Sequence, residues 1–144
     1  LLVLQPQGAA AVPWSTAWLL GAGPALATAL VLFCSHFHQV KEDAAHGKRS
    51  PVVRLGTRRA AALVPWWVAA TLALEWMPLL FGVWPPAVLL SGLGLPAAVQ
   101  LIRLLQCHHD QPDRISGSKF LALRFQLFNG LGLMLGLALP GLYR

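Results

Sequence analysis

The chain has 144 residues, of which 56% are hydrophobic and 11% charged, and its mean hydropathy is +0.60. These values lie outside the range of an ordinary soluble domain and exclude most water-soluble enzymes and binding modules. The formal net charge of +6 favours contact with the anionic headgroups of membrane lipid. No feature of the sequence predicts a nucleic-acid or protein partner.

The first residues of the chain read as the end of an earlier helix. Residues 1–4 are apolar, and residues 5–13 are rich in Pro, Gln, Gly and Ala, as in a short connection. We therefore expect the chain to be part of a longer protein.

Four apolar runs then follow, and each is long enough to cross the hydrocarbon of a bilayer, which takes about 20 residues. They lie at about 14–33, 60–83, 86–105 and 120–143. A soluble bundle of buried helices is the alternative, but it requires a polar outer face at the helical period. The runs carry no such polar stripe. The sequence therefore predicts an all-α membrane protein with four transmembrane helices.

The loop at 34–59, between the first two runs, holds most of the residues that indicate chemistry. It contains the stretch HFHQVKEDAAHGKRSPVVRLGT at 36–57. If the first helix continues beyond the membrane surface, a rotation of about 100° per residue gathers polar residues on one side. That side would hold His36, Gln39, Asp43 and His46. His36 and His38 are candidate lining residues of a polar cavity.

The order of charges in this loop fits a site for a phosphate-bearing substrate. Asp43 and the neighbouring Glu42 offer hard carboxylate oxygens of the type that Mg²⁺ prefers, and Mg²⁺ usually completes its shell with substrate phosphate and water. Lys48, Arg49 and Arg54 follow as cations that can neutralise a departing diphosphate. A solvated basic loop whose carboxylates only balance charge fits equally well, so the residues alone leave both interpretations open.

Glu75 is the acidic residue of the second run, where an ionisable group is expensive and is a functional candidate by default. It lies about 15 residues, or roughly 22 Å, beyond the basic end of its helix. We therefore favour a structural carboxylate near the opposite interface, either snorkelling or protonated. Gln126 and Asn129 in the fourth run are expected to form hydrogen bonds between helices.

The loop between the last two runs begins with four consecutive residues of zinc-binding types, Cys107, His108, His109 and Asp110. Consecutive side chains cannot all converge on one ion from a single turn, and no second pair at metal-ligand spacing is present. We therefore do not predict a zinc site. Cys34 and Cys107 are interpreted as small apolar fillers.

The positive charges indicate which way the helices run. Ten of the eleven basic residues lie in or beside two loops, and they are Lys41, Lys48, Arg49, Arg54, Arg58, Arg59, Arg103, Arg114, Lys119 and Arg124. With four crossings those loops share one face, and cytoplasmic loops retain Lys and Arg. We predict that this face, with all five histidines, is cytoplasmic, or stromal in a plastid.

The stretch at 35–57 resembles the second aspartate-rich signature of UbiA-type prenyltransferases. In the branch that acts on dihydroxynaphthoate this signature commonly reads like NNxRDxxxDxxAGKRTLxVRLG. Asp43 matches its second aspartate, residues 47–49 match its GKR, and residues 53–56 match its VRLG, with no gap.

The front of the stretch departs from that pattern. Ser35 and His36 replace the asparagines, His38 replaces the arginine, and Gln39 replaces the first aspartate. One expected metal carboxylate is therefore missing. The form HFHQVxED resembles the photosynthetic branch of the family, in cyanobacteria and plastids.

The resemblance implies a nine-helix bundle, of which residues 1–144 supply the last four helices, in a cyanobacterial plasma or thylakoid membrane or a plastid membrane. It implies Mg²⁺-dependent transfer of a phytyl or polyprenyl group from its diphosphate to 1,4-dihydroxy-2-naphthoate, with loss of the carboxylate, in phylloquinone or menaquinone biosynthesis. The implied roles are catalysis for Asp43 and Lys48, diphosphate binding for Lys48, Arg49 and Arg54, and metal binding for Asp43, Glu42 and Gln39. This chain alone is expected to be inactive.

Two other functions remain open. One is a different branch of the same family, acting on homogentisate, 4-hydroxybenzoate or a chlorophyll precursor, and the run GKRSPVVRLG argues against it. The other is half of a transporter, which would place polar groups or broken helices at mid-membrane instead of at one surface.

Overall fold

In the computed structural model, residues 14–142 are described, and side chains are described from 18 to 139. Four helical segments in this part of the chain are long and apolar enough to cross a membrane: Trp18–Ser35, Thr57–Leu80, Pro86–His108 and Pro112–Leu139. This confirms the prediction of an all-α membrane protein with four spanning helices. The predicted end of an earlier helix, at residues 1–4, lies outside the described residues.

Seven α-helices and one 3-10 helix make up the described fold. In chain order they are α1 (Trp14–Ser35), α2 (Val40–Ala45), α3 (Pro51–Leu55), α4 (Thr57–Leu80), the 3-10 helix (Pro86–Gly94), α5 (Leu95–His108), α6 (Pro112–Ile115) and α7 (Ser118–Leu142). The predicted loop at 34–59 is thus largely helical, because it holds both α2 and α3.

The four long helices form a closed ring. Helix α1 packs against α4 and α7, and α5 packs against the same two helices from the other side. Each helix contributes a fully buried side chain to the interior, namely Leu30, Val64, Leu101 and Phe125. The outer faces carry exposed Trp, Leu and Phe side chains, which in water would favour aggregation but in a bilayer face hydrocarbon.

Both basic loops lie at one end of this ring. The Ser118 hydroxyl, at the start of α7, donates to the Cys34 carbonyl near the end of α1 at 3.4 Å. The Thr57 hydroxyl, at the start of α4, contacts Nδ1 of His109 beyond the end of α5 at 3.1 Å. The prediction that the two loops share a face is therefore confirmed, whereas the side of the membrane that they face stays a prediction.

The third span differs from the continuous helix that the sequence predicts, because its first half is a 3-10 helix. Pro96 has no N–H and cannot bond the Gly92 carbonyl four residues back, as an α-helix would require. The Leu95 amide bonds that carbonyl instead, across three residues. A 3-10 run of this length is unusual, and glycines at 92 and 94 ease the tighter winding.

Glycines allow α7 to approach this 3-10 helix closely. A Cβ on Gly132 would overlap the Leu90 carbonyl, and a Cβ on Gly136 would overlap the Ala87 carbonyl. The two glycines are four residues apart and so occupy the same face of α7. They form the small-xxx-small pattern that brings membrane helices together where the hydrophobic effect cannot.

A buried polar cluster joins α4, α7 and the 3-10 helix inside the ring. The Asn129 amide donates to Oε2 of Glu75 at 2.8 Å and to the Ser91 carbonyl at 3.3 Å. The Trp76 indole donates to the Ser91 hydroxyl at 2.9 Å. Gly23 of α1 leaves the space that the Glu75 carboxylate fills.

These contacts decide between the two interpretations of Glu75. Its side chain is fully buried, so the snorkelling alternative is wrong. Its bond to Asn129 supports the structural interpretation, and its protonation stays a prediction. The interhelical bonds expected of Asn129 and Gln126 are confirmed, because the Gln126 amide donates to the Thr28 hydroxyl of α1 at 2.7 Å.

Gly132→Ala is expected to lower the free energy of unfolding by about 1–3 kcal/mol, because an added methyl group must displace backbone. Gly130→Ala is the matched control on the same helix, since a Cβ there meets nothing within 4 Å. The control should be neutral or stabilising by up to about 1 kcal/mol, because Ala favours helix over Gly. Thermal unfolding of the protein in detergent micelles measures both, and equal melting temperatures would contradict the close approach.

Asn129→Ala is expected to destabilise the protein by about 1–3 kcal/mol, because it leaves the buried Glu75 carboxylate without its donor. Gln126→Ala, three residues earlier on α7, removes one interhelical bond without leaving a fully buried polar group unpaired and should cost about 0.6 kcal/mol. Denaturant titration of the two variants side by side tests this order. A larger loss from Gln126→Ala would show that the buried cluster does not hold the ring together.

Candidate functional site

The segment that resembles the family signature folds as a small cap on the basic end of the ring. Phe37, just after α1, and Val52, in α3, are buried in the same core as the long helices. Phe37 also packs edge-on against the ring of Phe33, with centroids 5.7 Å apart. These two anchors fix the position of α2 and α3, so the polar residues between them are held in place.

Helix α2 ends in a geometry that ties Lys48 to Asp43. Gly47 adopts a φ of +69°, its amide donates to the Ala44 carbonyl at 3.1 Å, and the Lys48 amide donates to the Asp43 carbonyl at 2.8 Å. This pair of bonds is the Schellman motif, which needs a residue in the left-handed region, usually Gly. Glycine at position 47 is therefore a backbone requirement, and the motif brings the backbone of Lys48 to that of Asp43.

The side chains of Asp43 and Lys48 meet at the same place. Nζ of Lys48 lies 3.2 Å from Oδ1 of Asp43, and the Lys48 side chain is largely exposed while that of Asp43 is 8% exposed. The other carboxylate oxygen, Oδ2, is buried and accepts no hydrogen bond within the described residues. Nδ1 of His36 lies 3.5 Å from it. One oxygen of the buried Asp43 carboxylate is thus paired with a cation, and the other has no hydrogen-bond donor among the described residues.

The surroundings of Asp43 favour its ionised form. Burial by itself would raise the pKa of Asp43, but hydrogen bonds from Lys48 and Ser50 and the charges of Lys48 and His36 act against it. The result is a pKa below the ordinary value, so the carboxylate is charged at neutral pH. A charged, partly unsatisfied oxygen at this position is a ligand for a cation.

Ser50 is a site residue that sequence reasoning missed. It is buried, and it caps the start of α3 by accepting from the Val53 amide at 3.4 Å. The sequence did contain a signal, since Ser followed by Pro51 at the first helical position is a typical helix start. The cap turns α3 back against α2 and brings the Ser50 hydroxyl to Asp43.

The structure places the other predicted residues around this pair without joining them to it. Glu42, Arg49 and Arg54 have exposed side chains, and Gln39 and His38 are half-buried. In the described part of the chain none of these five forms an ion pair with Asp43. Their roles stay predictions.

The prediction that the first helix continues beyond the membrane surface and carries a polar face is wrong. Helix α1 ends at Ser35, and a turn at 36–39 separates it from α2. His36 still approaches Asp43, but through that turn. His46 is exposed, and its Nδ1 contacts the Glu42 carbonyl at 2.8 Å. Phe37, in this turn, is buried.

A magnesium ion fits the residues at Asp43, although only in part. Mg²⁺ is usually held by one or two carboxylates and completes its octahedron with substrate phosphate and water. Oδ2 of Asp43 supplies one buried, unsatisfied carboxylate oxygen of that kind. Within residues 18–139 no group of three or more His, Cys, Asp or Glu side chains could hold a metal ion, so further ligands must come from elsewhere.

The second loop supports the cap instead of adding ligands to it. His109 is engaged with Thr57. The interpretation of the cysteines as apolar fillers is confirmed for Cys34, which is buried, and wrong for Cys107, which is exposed.

Lys48→Met is expected to lower the melting temperature at pH 7, because Asp43 loses its cation. The pKa of folded Asp43 lies below 3.8, so the stabilisation is complete above that pH and is lost as the pH falls through the lower folded value. The difference from the unsubstituted protein should therefore vanish in strong acid. Lys41→Met, an exposed cation on α2, is the control and should show no such pH dependence in melting curves; a difference that persists at low pH would argue against the pair.

Comparisons with known proteins show what the whole chain is similar to. The model of the UbiA prenyltransferase family matches residues 4–130. The 2-carboxy-1,4-naphthoquinone phytyltransferase of Synechocystis sp. is 41% identical over 117 residues, which is 81% of this chain and 38% of that protein. The chloroplastic 2-carboxy-1,4-naphthoquinone phytyltransferase of Arabidopsis thaliana is 37% identical over 113 residues, covering 78% of this chain and 30% of that protein.

No solved structure matches the chain significantly. The chain spans well under half the length of both relatives. The family match nevertheless covers most of its residues, including α1 to α6 and the Asp43 cap. This chain therefore belongs to the UbiA prenyltransferase family.

Proposed function

We propose that the protein transfers a phytyl or polyprenyl group from its diphosphate to a naphthoate, 1,4-dihydroxy-2-naphthoate, with loss of the carboxyl group, in phylloquinone or menaquinone biosynthesis. The observation that carries the proposal is the buried Asp43 carboxylate, with Lys48 on one oxygen and the other oxygen unsatisfied. The choice of a phytyl group and of a carboxylated naphthalene acceptor rests on the names of the two relatives, which give that acceptor as 2-carboxy-1,4-naphthoquinone. The dihydroxy form of the acceptor rests on the resemblance of the signature.

In this reaction the bond between C1 of the prenyl chain and the diphosphate oxygen breaks, and both electrons leave on the diphosphate. A carbon–carbon bond forms between C1 and the acceptor ring, and the carboxyl group leaves as carbon dioxide. The expensive step is the departure of the diphosphate, because negative charge accumulates on its oxygens. Cationic side chains fixed near those oxygens lower this barrier.

Lys48 is placed to do so, since its side chain is exposed and already oriented by Asp43. A diphosphate oxygen beside this ammonium group would accept from one of its remaining N–H donors, while Asp43 keeps the lysine in place. Arg49 and Arg54 lie on the exposed side of the cap and supply further donors to the diphosphate. Arg is suited to this because its planar fork binds phosphate with two parallel hydrogen bonds.

Mg²⁺, when bound, neutralises diphosphate charge and assists its departure. Asp43 would hold it through Oδ2, and we propose Glu42 and Gln39 as outer contributors. Gln39 replaces a carboxylate of the common signature, so the charge at this half of the site is lower than usual. His36 lies against Oδ2 and orients the carboxylate.

The apolar helices beneath the cap would hold the prenyl chain and keep water from the allylic cation. We propose that this chain supplies the last four of nine helices, and that the first aspartate-rich signature lies on the remainder of the full-length protein. Half of the diphosphate site would then be missing here, and this chain alone would be inactive. We also propose that the cap faces the cytoplasm or stroma, in a cyanobacterial or plastid membrane.

The structure does not support the alternative that the protein is half of a transporter. Glu75 is the ionisable residue that could line a pathway, and it is fully buried and bonded to Asn129. The branches of the family differ in the acceptor that they prenylate, so an assay with different acceptors distinguishes them.

Asp43→Ala in the full-length protein is expected to lower product formation by about 100-fold or more, because the diphosphate loses both its metal ligand and the anchor of Lys48. Lys41→Ala, an exposed residue two positions away, is the matched control and should retain activity. The assay uses membranes with Mg²⁺, phytyl diphosphate and dihydroxynaphthoate, and product is followed by mass. Full activity in Asp43→Ala would remove the metal role, and product only with homogentisate or 4-hydroxybenzoate would move the protein to another branch.

A further inference from the structure

A cleft between α5 and α7 is separate from the Asp43 cap. It has a volume of about 590 Å³ and is open to one side of the ring. One wall comes from the 3-10 helix and α5, and the other comes from α7. The lining residues are Leu93, Pro96, Ala97, Gln100, Arg124 and Phe128.

Arg124 is the only charged residue among those that line the cleft. Both ion pairs in the described part of the chain belong to Asp43, so no described carboxylate neutralises Arg124. A guanidinium among apolar side chains is expensive unless an anion or water reaches it. The cleft therefore presents an uncompensated positive charge together with the amide of Gln100.

The polar groups of the cleft lie toward the basic end of the ring. Arg124 lies six residues after Ser118, which is about 9 Å along α7 from the basic end of the ring. Gln100 lies eight residues before His108, which is about 12 Å from the same end. Because a long Arg side chain reaches back toward the interface, its guanidinium can stand at the level of lipid phosphates.

Deeper in the membrane the cleft becomes apolar. Phe128 follows Arg124 by one helical turn on the same face of α7. On the opposite wall Leu93, Pro96 and Ala97 all precede Gln100 and so lie farther from the basic end. Pro96 and Ala97 have small side chains, which leave room for this apolar groove beside α7. From the surface inward the cleft thus presents a cation, an amide and an apolar groove. This order complements that of a phospholipid, whose anionic phosphate is followed by polar ester groups and then by an acyl chain.

We infer that this cleft binds one anionic glycerophospholipid, with its phosphate on Arg124 and Gln100 and an acyl chain between Pro96, Ala97 and Phe128. A free phosphate would use only the polar end. A neutral lipid would use only the apolar groove and would leave the guanidinium uncompensated. The site does not depend on prenyl transfer, because none of its residues belongs to the Asp43 cap.

The test uses the full-length protein, purified in detergent and examined by native mass spectrometry with phosphatidylglycerol or phosphatidylcholine of identical acyl chains. We expect preferential retention of phosphatidylglycerol. Arg124→Gln should weaken that retention about tenfold, the loss expected for one charge-assisted hydrogen bond. Arg124→Lys, which keeps the charge, should retain most of the preference and shows that the variants fold.

Arg59→Gln is the matched control, since it removes an exposed basic side chain from the same face but outside the cleft, and it should leave retention unchanged. Excess inorganic phosphate should not displace the lipid. Equal retention of the two lipids, an equal loss in Arg59→Gln, or displacement by inorganic phosphate would each overturn the proposal.

Discussion

Inside a bilayer every backbone N–H and C=O group must find a partner within the protein, because hydrocarbon offers none. Three of the four spans meet this demand along most of their length as α-helices. The third begins with a 3-10 helix at Pro86–Gly94, whose hydrogen-bond geometry is poorer, and continues as α5. The Ser91 carbonyl in this segment receives a bond from Asn129, and the Ser91 hydroxyl receives one from Trp76. The 3-10 helix, whose backbone hydrogen bonds have the poorer geometry, is thus the segment that the buried polar cluster supports.

The same demand explains why α7 holds the ring together. Close approach at Gly132 and Gly136 brings α7 against the backbone of the 3-10 helix, and that contact positions Asn129 to reach Glu75 across the interior. Van der Waals packing and interhelical hydrogen bonds are what associate helices in lipid. Glu75 is therefore part of the support of the fold, even though an ionisable group in a span usually suggests function.

Charge outside this interior is used in two different ways. At the cap, Lys48 is paired with a buried carboxylate, which orients its ammonium group. In the cleft, Arg124 has no described anion beside it, so its ligand must come from the surroundings. A cation held ready by the protein suits a reacting group, whereas an uncompensated cation at the depth of headgroups suits a resident lipid.

The sequence by itself determined the four spans, their common basic face and the family, because hydropathy, loop charge and the spacing of Asp43, Gly47 and Lys48 are local properties of the chain. It also identified Asp43 as a candidate site residue and Asn129 as an interhelical donor. It could not show that Lys48 bonds Asp43, because the same residues could equally form a solvated loop without an ordered ion pair. The turn at Phe37, the burial of Ser50 and the 3-10 half of the third span likewise depend on which neighbours cover them. Those features were decided only in the tertiary structure, where side chains distant in sequence compete for the same space and the same hydrogen bonds.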